Sequence, residues 1–160
     1  MEKQMLSSAR KEALIKSVIQ AMPNYAMACF KLLEGLCKDI CKYLANFWWG
    51  SVQQDRKMHW TSWKKLSEVK GKGGLGFRDL EAFNEALLAK QLWRIITFPN
   101  LLMSKVIRAK FLKDPNGLEN NPSQSASWTW KSIHSAWRLI QRGLWKRIGK
   151  GCQVNMWKYR

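Results

Sequence analysis

The sequence predicts a mainly α-helical protein: a small helical domain of about five helices, with a short C-terminal β-hairpin as the only strand structure it suggests. Apolar residues recur at helical spacing along most of the chain, as at Leu14, Val18 and Met22. Capping residues and prolines mark the ends of these segments. With 46% hydrophobic residues and 10 Trp, the 160 residues suffice for one domain with a hydrophobic core.

The N-terminal third predicts two helical regions. The first covers 7–22, where a serine can cap the start and Pro23 ends the helix. The second begins near Tyr25 and is loosened near Gly35. It ends at Gly50, since glycine is the residue that most readily takes the left-handed conformation after a helix.

The middle of the chain predicts a loop followed by two helices. Residues 51–78 read mostly as loop, Asp79 caps a helix that reaches Thr97, and a shorter helix covers about 101–112. Four tryptophans around the loop are expected in the core: Trp48, Trp49, Trp60 and Trp63. We therefore expect a helical region over 1–113.

The C-terminal part predicts a linker, a basic helix and a hairpin. Residues 114–127 are rich in Asn, Ser and Pro and form the expected linker. In the region 128–160, one helical face carries the apolar residues Trp130, Ile133, Trp137 and Ile140, and another carries the cations Lys131, Arg138 and Arg142. Gly143 is the expected stop of this helix, and 144–157 suggest two strands around a turn at Gly149–Gly151.

The charge predicts a polyanionic partner. The chain has 28 Lys and Arg against 11 Asp and Glu, a net charge of +17. The excess rises along the chain, and residues 99–160 contain 12 basic but only 2 acidic residues. Such a surface attracts nucleic acid first and anionic membrane second, although a solvated basic face without a partner has the same composition. No apolar run approaches the ~20 residues of a membrane span. Of the two polyanions we expect nucleic acid as the partner and no membrane.

The glycines of 70-KGKGGLGFRDLEAFN-84 raise the question of a bound nucleotide. Gly71, Gly73 and Gly76 fit the spacing G-x-G-x-x-G. A dinucleotide loop follows a buried strand and precedes an acidic residue about 20 positions later, and neither is present. We therefore interpret the glycines as a sharp bend before the helix at Asp79 and expect no cofactor.

The cysteines predict structural thiols. Cys37 and Cys41 lie one helical turn apart and could present two metal ligands on one face. A structural zinc site needs four ligands, and Cys29 and His59 are poorly spaced to supply the others. We expect reduced, structural cysteines and no metal.

Several segments resemble one known family, the part that follows the polymerase core in plant LINE-type (non-LTR) retrotransposon reverse transcriptases. These segments are 6–27, 25–40, 47-FWWG-50, 59-HWTSWKKL-66, 74-GLGFRDLEAFNEALLAKQLWRI-95 and 130–151. The sequence also resembles a short plant mitochondrial protein of the same retrotransposon-derived family. The resemblance implies a thumb-and-connector region over 1–113 and a C-terminal part that stops before a zinc-binding module. It implies a nuclear or mitochondrial location.

The resemblance implies no polymerase activity in this chain. Polymerisation requires paired carboxylates that hold two metal ions, and the four aspartates are not adjacent: Asp39, Asp55, Asp79 and Asp114. We expect a non-catalytic fragment that binds RNA or DNA independently of sequence, alone or with the remaining reverse-transcriptase domains. The strongest candidate contacts are Lys131, Arg138 and Arg142, and the second group is Lys105, Arg108, Lys146 and Arg147. A decayed open reading frame, or an interaction module without biochemical activity, is the alternative.

Overall fold

The computed structural model describes residues 6–50, 57–112 and 117–144. Within these residues it contains eight α-helices and no strand, which confirms the mainly α prediction. The helices are α1 (Ser8–Leu14), α2 (Asn24–Cys29), α3 (Glu34–Trp49), α4 (Trp63–Leu66), α5 (Leu80–Thr97), α6 (Leu102–Phe111), α7 (Trp128–Ser135) and α8 (Trp137–Gly143). A π-helical turn, Ile15–Ile19, continues α1, and a 3-10 turn, Lys70–Lys72, precedes α5. None of these described helices is long and apolar enough to span a bilayer.

Helix α5 is the centre of the fold. It contacts α2, α3, α6, α7 and α8. Its start is the predicted one, because the Asp79 carboxylate accepts hydrogen bonds from the backbone N–H groups of Glu81, at 3.0 Å, and Ala82, at 3.3 Å. At the other end, the Arg108 guanidinium donates to the carbonyl oxygens of Ile95 and Ile96, both at 3.0 Å. The helix is thus capped from its own sequence at one end and from α6 at the other.

The largest hydrophobic cluster joins α5 to α7 and α8. Its buried residues are Leu88, Leu92, Ile95, Ala126, Trp130, Ile133, Ala136 and Ile140. Phe111 of α6 stacks on the Trp130 ring with a centroid distance of 5.4 Å. Residues on both sides of the expected linker 114–127, and Ala126 within it, therefore contribute to one cluster. Residues 114–116 of the linker lie outside the described part.

Two smaller clusters lie under the N-terminal helices. One buries Ile15, Leu44, Leu66 and Phe77, and the other buries Met27, Cys37 and Leu80. Trp48, Trp49 and Trp63 pack against the first of them, as predicted. The prediction for Trp60 was wrong, because its side chain is 78% exposed. The Phe77 ring is packed against Trp48 and Trp63, with distances between ring centroids of 5.5 and 4.8 Å. Trp60 lies in a bend before α4 and is not among the residues that pack on this cluster.

Several helix boundaries differ from the sequence prediction. The first helical region was expected over 7–22 and ends at Ile19, before a turn at 20–23. The break between α2 and α3 lies at 30–33, and Gly35 belongs to the first turn of α3. The reason is a tertiary contact: the Asn84 side chain of α5 binds the backbone at this break. The expected basic helix is divided at Ala136, and Gly143 lies within the last turn of α8 without a positive φ. Gly50 has the predicted left-handed conformation, with φ 71°.

The predicted hairpin over 144–157 lies, beyond its first residue, outside the described residues.

Candidate nucleic-acid interface

The C-terminal half of the molecule presents cations with few acids beside them. Acidic residues are absent from 86–113 and from 120–160. Helices α7 and α8 bury their apolar face on α5, so their polar face is directed away from the core. This arrangement leaves Arg138 and Arg142 exposed on α8, one helical turn apart. Neither arginine forms an ion pair with another described residue.

A groove of about 970 Å³ runs along α7 and α8. Three cations line it: Lys31, Lys131 and Arg138. Two carboxylates, Glu85 and Glu119, and two amides, Asn121 and Gln141, complete most of its polar lining. The strongest sequence candidates are thus partly brought together, since Lys131 and Arg138 share this groove and Arg142 lies exposed one turn further along α8.

Lys131 is held in place by the segment that precedes α7. Its ammonium donates a hydrogen bond of 2.7 Å to the carbonyl oxygen of Gln124. The remaining two donors of the ammonium are available to a ligand, because a lysine carries three N–H groups. Lys131 is therefore an oriented cation at the groove wall.

The second group of candidates is divided. Lys105 is exposed on α6. Arg108 is partly buried, and its guanidinium is engaged by the carbonyl oxygens at the end of α5, so its first role in this fold is to cap that helix. Lys146 and Arg147 lie outside the described residues.

Lys31 is the groove cation that sequence analysis missed. It lies in the break between α2 and α3, in the least basic third of the chain. The Asn84 amide donates to the carbonyl oxygens of Met27, at 2.7 Å, and Phe30, at 2.9 Å, and accepts from the N–H of Leu32, at 2.9 Å. These bonds fix the backbone on both sides of Lys31. No local pattern predicts the contact, because Asn84 lies 52 positions from Leu32.

The glycine loop is built as a turn whose amides are already used. The N–H groups of Gly73, Gly74, Leu75 and Gly76 donate to carbonyl oxygens at 3.1, 3.3, 2.9 and 2.8 Å. A phosphate cradle requires free N–H groups directed at the ligand. Gly73 and Gly76 have φ 83° and 69°, which supports the interpretation as a structural bend.

The carboxylates and thiols of the described residues form no recognisable catalytic or metal centre. Asp39 is exposed on α3, Asp79 caps α5, and Asp55 and Asp114 lie outside the described part. No group of three or more metal-binding side chains occurs in that part. Burial raises the pKa of the Cys37 and Cys41 thiols, which disfavours the thiolates that a metal requires.

Comparison with known proteins places the chain in a plant family. It is 42% identical over 138 residues to an uncharacterized mitochondrial protein of Arabidopsis thaliana, a match that covers 86% of this chain and 90% of that protein. The chain belongs to the family of this mitochondrial protein. A second relative, a putative ribonuclease H protein of Arabidopsis thaliana, is 31% identical over 157 residues. That match covers 95% of the present chain but only 25% of the ribonuclease H protein, so the chain spans a quarter of the longer protein.

No family model matches the chain, and no solved structure matches it.

Proposed function

We propose that this chain is a non-catalytic fragment of a retrotransposon reverse transcriptase and binds the phosphate backbone of RNA or DNA. The observation that carries the proposal is the pair of faces on α7 and α8. Trp130, Ile133 and Ile140 are buried against α5, while Arg138 and Arg142 stand in solvent. Phosphates can therefore meet the cations without desolvation of the core, which is the usual means of sequence-independent binding.

The relatives support the first part of the proposal, that the chain is a fragment of a longer enzyme. One relative is a protein of nearly the same length, and the other is about four times as long and carries a ribonuclease H name. The match to the longer relative covers 95% of the chain, over most of which the segments that resemble LINE-type reverse transcriptases are distributed. Such a relationship is expected when one part of a larger retrotransposon enzyme persists alone.

The placement of the aspartates supports the second part of the proposal, that the fragment is not catalytic. Two-metal catalysis needs neighbouring carboxylates that share the ions. The Asp79 carboxylate accepts two N–H groups at the start of α5, and Asp39 lies on the exposed side of α3. We expect no extension of a primer on an RNA template with Mg²⁺ or Mn²⁺. Template-dependent incorporation that disappears when one of the four aspartates is changed to Asn would refute this expectation.

The third part of the proposal, binding of the phosphate backbone, is tested with purified protein. The ligands are labelled single-stranded RNA, single-stranded DNA and an RNA–DNA hybrid. Fluorescence anisotropy at 50 and 200 mM salt gives the affinity for each. We expect all three to bind at low salt and to weaken steeply as salt rises, because each neutralised phosphate contributes about 0.7–0.9 to the slope of log affinity against log salt. Absence of binding at 50 mM salt would reject the proposal.

A protein-interaction module is the second candidate, favoured by exposed apolar side chains on the N-terminal helices and in the connections between them. Met22, Tyr25, Leu33 and Tyr43 are between 72% and 85% exposed. Exposed apolar residues of this kind mark interfaces when they are contiguous. Under this alternative the remaining reverse-transcriptase domains would be the partner. In a pull-down, the immobilised chain would then retain those domains, and the double variant Tyr25→Ser with Tyr43→Ser would not. This result, together with an absence of nucleic-acid binding, would favour the interaction module.

A further inference from the structure

We propose that the groove along α7 and α8 holds an unpaired nucleotide and that Glu85 and Glu119 select bases that carry an exocyclic amino group. The inference rests on the proposed function and adds a substrate class to it. It concerns single strands, since a duplex already pairs the amino groups of its bases.

The composition of the groove carries the inference. A surface that only follows phosphates gains from cations and loses from carboxylates, because two anions repel each other. Here Glu85 and Glu119 lie in the same groove as Lys31, Lys131 and Arg138. Carboxylates are acceptors only, and the exocyclic amine of cytosine or adenine is a donor that they can bind. The mixed lining is therefore suited to a nucleotide whose phosphate meets the cations and whose base meets the acids.

The size and remaining polar groups of the groove fit the same ligand. Its volume of about 970 Å³ lies within the range of pockets that enclose small ligands. Asn121 and Gln141 supply both donors and acceptors for a base edge. A splayed base can satisfy such groups, as single-stranded recognition generally does.

A duplex fits this groove less well for two reasons. Its bases are paired, so their amino groups are unavailable except along the helical grooves. Its outer surface offers phosphates, which Glu85 and Glu119 would repel. We expect single strands to bind more tightly than the duplex of the same sequence at equal salt.

The test compares two bases of the same size that differ in the amino group. Labelled oligomers of cytidine and of uridine are titrated with the full chain, in RNA and in DNA form with deoxycytidine and deoxyuridine. Wild-type protein should prefer cytosine by roughly fivefold or more, the lower end of what a hydrogen-bonded base contact contributes. In the double variant Glu85→Ala with Glu119→Ala, which removes both acceptors, the preference should disappear.

The matched control removes two acids outside the groove. Asp39→Ala with Glu68→Ala changes the net charge by the same amount, and both side chains are exposed. This control should keep the cytosine preference. All four substitutions are on exposed side chains, so far-ultraviolet circular dichroism should show the same helix content for every variant.

Three results would overturn the inference. If the Glu85 and Glu119 variant strengthens binding to cytosine and uracil oligomers equally, the two acids only repel phosphates, and the proposed function survives without the base site. If cytidine and uridine oligomers bind equally and both bind more tightly than their deoxy forms, the 2′-hydroxyl is recognised instead of the base. If no oligomer binds, the proposed function fails together with the inference.

Discussion

Gly74 and Gly76 are the residues at which the bend before α5 depends on glycine. A Cβ on Gly74 would overlap the backbone of Glu68, and Gly76 has φ 69°, a conformation that other residues rarely adopt. We expect Gly74→Ala and Gly76→Ala each to lower the free energy of unfolding by roughly 1 kcal/mol or more, measured by urea denaturation. Gly71→Ala is the control, because nothing lies within 4 Å of its Cβ position.

The same variants test the nucleotide hypothesis. ATP or NAD should leave the melting temperature of the wild-type protein unchanged, because the amides of Gly73 to Gly76 are engaged within the turn. A ligand-dependent rise that is abolished by Gly71→Ala would restore the phosphate-binding interpretation.

Glu12 makes the stability of the N-terminal region dependent on pH. Its carboxylate lies 2.7 Å from the Lys16 ammonium and 3.1 Å from that of Lys70, and these two hydrogen-bonded cations lower its pKa. The group is thus ionised to lower pH in the folded protein than in the unfolded chain. The stability it contributes is present above the unfolded pKa of about 4.3 and is lost as pH falls through the lowered folded value.

The prediction is that Glu12→Gln lowers stability at pH 7 and flattens its decline on acidification below about pH 4.3. The control is Glu34→Gln, whose carboxylate pairs with Lys38 while both side chains are more than 70% exposed. Such a pair contributes little, so this variant should keep the wild-type acid dependence. Equal behaviour of the two variants in urea denaturation at pH 7 and pH 3.5 would refute the role of Glu12.

At the scale of elements, Asn84 fixes the position of α2 and of the break that follows it. Its side chain is 3% exposed and satisfies three backbone groups, of Met27, Phe30 and Leu32. Asn84→Ala leaves these groups unpaired in a mostly buried site, which should cost about 1–3 kcal/mol of unfolding free energy. Urea denaturation measures the loss.

Asn84→Asp is the control that keeps the volume of the side chain and changes only its hydrogen-bonding groups. It keeps the acceptor for Leu32 but directs a carboxylate at two carbonyl oxygens, so we expect it to destabilise at neutral pH as well. Wild-type stability of Asn84→Asp would show that packing alone holds this junction.

Elements with local determinants could be predicted from the sequence. Asp79 supplies the cap of α5, Gly50 follows α3, and Pro23 lies directly before α2. Each effect acts within a few residues, so a single sequence contains the information. The break at 30–33 is different, since it is fixed by Asn84 from another helix, and the sequence pattern placed the loosening at Gly35.

The candidate site divides in the same way. Arg138 and Arg142 could be predicted as exposed because helical periodicity sets them opposite Ile133 and Ile140. Lys31, Glu85 and Glu119 could not, because they reach the groove only when α5 packs against α2 and α7. Arg108 shows the limit of charge counting, since its spacing suggests a phosphate contact while its guanidinium caps α5.

At the scale of the whole molecule, the fold separates its charges from its core. The cluster on α5 holds α7 and α8 by their apolar face, and the chain from residue 120 onward has no acidic residue. A polyanion approaching this side therefore meets the exposed Arg138 and Arg142 and the ammonium of Lys131, which is oriented by its hydrogen bond to Gln124. The N-terminal helices carry a comparable number of lysines, but acids such as Glu12 and Glu34 pair with some of them.

The salt dependence of nucleic-acid binding in two triple variants tests whether the cations of α7 and α8 form a phosphate-binding site. Lys131→Gln, Arg138→Gln and Arg142→Gln remove the cations of α7 and α8. The control, Lys42→Gln, Lys65→Gln and Lys72→Gln, removes three exposed lysines from the N-terminal half. We expect the first variant to lower the slope of log affinity against log salt by up to ~2–3 and the control to lower it by much less. Equal losses in both variants would contradict it, because the charge would then act as a diffuse cloud without a site.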